Sequence, residues 1–60
     1  MRRHSMEELQ DLRARMLAEA EQCERIANGA ADLMKRTDFL RLAGRFRQMA
    51  KEIHATMVAS

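Results

Sequence analysis

The sequence predicts an all-α fold, an antiparallel two-helix hairpin whose apolar stripes are broad enough to predict dimerisation into a four-helix bundle. Apolar residues recur at steps of three or four in both halves, a single Asn28-Gly29 break separates the halves, and the 60 residues include no proline. At about 100° per residue, such steps keep side chains on one side of a helix. The first stripe is Leu9, Leu12, Met16, Ala20, Cys23, Ala27 and Ala30; the second is Phe39, Leu42, Ala43, Phe46, Met49, Ala50, Ile53 and Met57.

The first helix is expected over about residues 6–28. Ser5-Met6-Glu7-Glu8 fits the S-x-x-E capping box, in which hydroxyl and carboxylate each satisfy the other residue's amide. An acidic first turn suits the positive end of the helix dipole. Gly29 is expected to take the left-handed conformation that closes a helix without a Cβ penalty. A turn over about 29–31 then leads to a second helix over about 32–57, with Asp32 as N-cap and Leu33 as its first helical residue. Thr37-Asp38 is a competing start, but Asp32 leaves the short link usual between antiparallel neighbours. Gly44, about 140° from Phe39, points away from the stripe and reads as tolerated. Val58 to Ser60 are expected to fray.

A short turn makes the helices antiparallel, so facing residues should have numbers summing to about 62. Cys23 would then face Phe39, Ala20 would face Leu42 and Ala43, Met16 would face Phe46, Leu12 would face Met49 and Ala50, and Leu9 would face Ile53. Small residues of helix 1 would oppose large ones of helix 2. Met6, Leu17, Leu33 and Leu40 fall outside this single seam and widen the stripes beyond what two helices cover, which suggests a further apolar surface.

Charge is divided between the halves. Residues 5–30 carry six acids against three arginines, and residues 31–60 carry six bases against three acids, within a net charge of +2. The halves should therefore attract, although each exposed pair contributes only about 0 to 1 kcal/mol. Glu19 and Arg15 border the stripe of helix 1, and Arg45 and Glu52 border that of helix 2.

At this length the core is thin. Ordering about 50 residues costs ~75 kcal/mol, and burying on the order of 3,000 Å² of apolar surface at ~25 cal/mol/Å² contributes about as much. A lone hairpin thus sits near zero net stability, and association is the expected remedy. Cys23 is the only cysteine, so no internal disulfide can form, and on an apolar stripe it reads as a reduced core residue. The N-terminus, with Arg2 and Arg3, runs straight into acids, so neither a signal peptide nor a membrane span is expected and the cytoplasm is the default location.

The run Cys23-Glu24-Arg25-Ile26-Ala27, then Asp32, Leu42-Ala43, Phe46 and Met49-Ala50, resembles a group of short bacterial helical-hairpin proteins of unassigned function. Their pattern is C-x-x-L-A, a T-D-P-E helix start, L-L-x-L-A, an aromatic and L-A. This chain departs from it with Ala31-Asp32-Leu33 in place of T-D-P, and Phe46 stands where tryptophan is usual. The resemblance implies a hairpin break near residue 30 and carries no activity.

Chemistry has little to stand on. His4, His54 and Cys23 lack metal-ligand spacing. The methionines at 1, 6, 16, 34, 49 and 57 form no M-x-x-M or M-x-M cluster and read as flexible apolar filler, with Met34 and Met57 as candidate contacts. No catalytic constellation or phosphate loop is present, so an enzyme, a cofactor or a small-molecule substrate is not expected. Arg41, Arg45, Arg47 and Lys51 form a candidate basic contact face on helix 2. Nucleic acid is disfavoured as its partner because both phenylalanines lie on the apolar stripe and no tyrosine or tryptophan is present.

The sequence therefore predicts a protein–protein association module that pairs with itself or, alternatively, docks as an accessory subunit on a larger protein. Its expected interface is Leu9, Leu12, Met16, Ala20, Cys23, Ala27, Phe39, Leu42, Phe46, Met49, Ile53 and Met57.

Overall fold

The computed structural model describes residues 5–59. Residues 1–4 and 60, and with them the expectations for Arg2, Arg3, His4 and Ser60, lie outside the described residues. Two helices, α1 (Met6–Gly29) and α2 (Leu33–Ala59), pack against each other as a hairpin.

Local chemistry explains the ends. The Glu8 amide donates to Ser5 Oγ at 3.1 Å and the Ser5 amide donates to Glu8 Oε1 at 2.8 Å, completing the capping box. At the start of α2 the Met34 amide donates to Asp32 Oδ1 at 3.0 Å, and the Arg36 amide donates to the Asp32 carbonyl at 3.0 Å. Thr37 lies inside α2, its hydroxyl donating to the Leu33 carbonyl at 2.9 Å, so Asp32 and not Thr37-Asp38 starts the helix.

The link between the helices differs from the expected one. Gly29 is the last residue of α1, and no glycine among the described residues has a positive φ. Ala30 ends the helix instead, in extended backbone at φ −82° and ψ 128°, with its amide donating to the Ala27 carbonyl at 3.2 Å. Arg36 Nη2 then reaches back from α2 to donate to the Ala30 carbonyl at 3.1 Å. An arginine from the second helix thus supplies a hydrogen bond at the turn, where a left-handed glycine was expected.

The far end of α2 also runs longer than expected. It includes Val58 and Ala59, because neither glycine nor proline interrupts the run after Gly44. α2 is continuous through Gly44.

The seam is built from small residues on both helices. Ala20, Cys23, Ala27, Ala30, Ala43 and Ala50 are the buried apolar residues, and no large side chain among the described residues is fully buried. Ala20, Cys23 and Ala43 form one cluster with Phe39 and Phe46 packed against its edge. Antiparallel register is as expected, but the opposition of small residues on α1 to large ones on α2 is not. Ala20 and Ala27, like Ala43 and Ala50, are seven residues apart, two helical turns, which repeats a small side chain on the line of contact. Small side chains there let the backbones come close, and the large residues are displaced to the flanks.

Candidate association interface

Displacement from the seam gives the hairpin two unlike faces. On one, Leu9, Leu12 and Met16 of α1 line a groove together with Met49, Ile53, Glu52 and Thr56 of α2. The same line continues toward the turn through half-buried Ile26 on α1 and through Leu42, Phe46 and Phe39 on α2. Steps of three and four from 9 to 16 and from 39 to 53 keep these side chains on one side of their helices, with Ile26 about 80° round from Met16. Leu12, Leu42 and Met49 are 44%, 38% and 45% exposed in the hairpin.

The opposite face is charged. Arg13 and Leu17 of α1 line a groove with Arg47, Ala50, Lys51 and His54 of α2. Arg47 Nη2 donates to Glu24 Oε1 at 2.6 Å, an ion pair that bridges the two helices. That hydrogen bond, followed by the Glu24 charge, raises the Arg47 guanidinium above its ordinary value; desolvation opposes and the Glu21 charge adds slightly. A raised cation contributes its stability at every pH below the usual arginine range and loses it only as pH climbs through the raised value. Across physiological pH the pair is therefore constant, and salt is what weakens it.

Residues expected at one interface fall into three groups. Ala20, Cys23 and Ala27 are consumed inside the hairpin, where a partner cannot touch them. Leu9, Met16, Phe39, Phe46, Ile53 and Met57 are half-buried, offering their outer edges, and Leu12, Leu42 and Met49 are exposed. Ile26 belongs to this face and extends it, as its step of three from Cys23 could have signalled.

The expected basic face of helix 2 does not exist as one surface. Arg47 and Lys51 lie in the charged groove, whereas Arg41 lies beside Leu33, Met34, Thr37 and Asp38. Arg45 and Arg47 are two residues apart, which places them about 200° apart around the helix. The four cations therefore divide into pairs, Arg41 with Arg45 and Arg47 with Lys51.

Cys23 sits in the seam and His54 in the charged groove, so they belong to different parts of the hairpin. Among the described residues, no three His, Cys, Asp or Glu side chains gather where a metal ion could be held. No helix among them is long and apolar enough to cross a membrane.

No protein family model matches the chain, and no curated protein or solved structure does. The functional reading therefore rests on the physical character of the two faces.

Proposed function

We propose that the chain is a non-enzymatic association module that forms a homodimer, two hairpins stacking apolar face on apolar face as a four-helix bundle. The observation that carries this reading is that Leu12, Leu42 and Met49 stand exposed on the face where Leu9, Met16, Phe46 and Ile53 are only half-buried, while Cys23 and alanines fill the seam. Area supports it. The chain exposes 4998 Å², whereas a compact monomer of its mass, 7.0 kDa, exposes about 4,000 Å². A face of 46 by 18 Å offers roughly the 800 Å² that each partner contributes to a standard interface. A buried Cys23 thiol suits a reducing compartment such as the cytoplasm.

Sedimentation equilibrium at micromolar concentration is expected to give twice the chain mass. Met49→Glu, at a site exposed in the hairpin, should shift the equilibrium to monomer. Phe46 is only half-buried in one hairpin, so a cost of about 3 to 5 kcal/mol for Phe46→Ala, the value for fully buried aromatics, is expected only if a second copy covers it. A well-folded monomer with a sharp, concentration-independent melt would overturn the proposal. A monomer of low helicity would also overturn it, in favour of a subunit that orders on a larger protein.

A further inference from the structure

Resting on that homodimer, we infer that the hairpins stack with both turns at the same end, each α1 lying antiparallel across the partner's α2. A two-fold axis between two stacked hairpins runs either along the helices or across them. Along the helices, it sets α1 on the partner's α2 and brings the turns together. Across them, it sets α1 on the partner's α1 and α2 on the partner's α2, with the turns 46 Å apart at opposite ends of the molecule.

Charge separates the two. Six acids against three arginines in residues 5–30 face six bases against three acids in residues 31–60 only when α1 meets α2. The crossed arrangement lays acidic helix on acidic helix and basic on basic, and like-charge juxtaposition of that kind is what partners avoid.

Glu19 sharpens the choice. It stands at the border of the apolar stripe of α1, three residues after Met16 and four before Cys23, and is exposed in the hairpin. Among the described residues its side chain has neither an ion pair nor a hydrogen bond, and the same is true of Arg45. Covering an acid on an apolar face is costly unless a cation meets it. Rotation about an axis along the helices leaves every residue at its own height. The register that packs Ala20 with Ala43 inside one hairpin therefore also holds between the two. Glu19 then comes level with the partner's Gly44, beside the partner's Arg45 on the edge of the same face. Arg15, by the same register, lies about one turn from the partner's Glu52. Both pairs occur twice in the dimer.

Two measurements test this. A nitroxide on Ala31→Cys, in a Cys23→Ala background, reports the distance between turns by dipolar electron resonance. A separation within about 25 Å is expected, given helix spacings of ~10 Å. A separation near the 46 Å hairpin length in a dimer overturns the arrangement and leaves the homodimer standing. Absence of dipolar coupling together with a monomeric mass overturns the homodimer and the arrangement with it. The second measurement keeps Cys23. Glu19→Arg and Arg45→Glu are each expected to weaken association about three- to tenfold, and the double reversal in one chain is expected to restore it. A double variant no tighter than its weaker parent overturns the pairing.

Discussion

Gly29 and Gly44 both sit in right-handed helix, and beyond its own turn of backbone an added Cβ at either would meet nothing within 4 Å. Glycine in such a position loses more backbone freedom on folding than alanine and contributes nothing in exchange. Gly29→Ala and Gly44→Ala are therefore each expected to stabilise by roughly 0.5 to 1 kcal/mol, read as a rise in Tm by circular dichroism at fixed concentration. A left-handed Gly29 would have given the opposite sign. The Asn28-Gly29 pair gave the right place for a break and the wrong conformation. A glycine near a helix end allows the left-handed closure without requiring it, and here the Ala30 amide and the Arg36 guanidinium provide the closing hydrogen bonds. Arg36 could not have been foreseen, because its partner is a backbone carbonyl six residues earlier, across the turn.

The helices themselves were legible because their signals are local. Ser5 and Glu8 are three residues apart and Asp32 is two from the amide it accepts from, so sequence spacing alone brings each set together. The seam was not legible in the same way. Alanine is only weakly apolar, and a stripe containing Ala20, Ala43, Phe39 and Phe46 is compatible with either large or small residues on the line of contact. The seven-residue spacing of the alanines was the available clue. The split of the four cations of α2 was also present in their spacing, since positions 45 and 47 cannot share a helix face. At the seam, Ala20→Leu is expected to force the helices apart and cost about 1 to 3 kcal/mol, measured by denaturant titration. A neutral result would mean that the helices do not approach closely at Ala20.

At the scale of the molecule, the hairpin is a slab of 46 × 18 × 14 Å with a radius of gyration of 14.0 Å. A compact chain of this length would have a radius near 10 Å. Two elongated copies laid together approach a compact shape, so stability and association become one equilibrium. The Tm is then expected to climb with protein concentration. Melts recorded across a hundredfold concentration range would check it, and superimposable curves would mean that each copy unfolds by itself.

Because Cys23 and the alanines hold the two rods together while Leu12, Leu42 and Met49 stand open, folding and partner choice are written largely in separate sets of positions. Mutational drift among the outward residues could redirect what this slab adheres to, from its own twin to a different helical surface, without loosening the joint that makes it a slab.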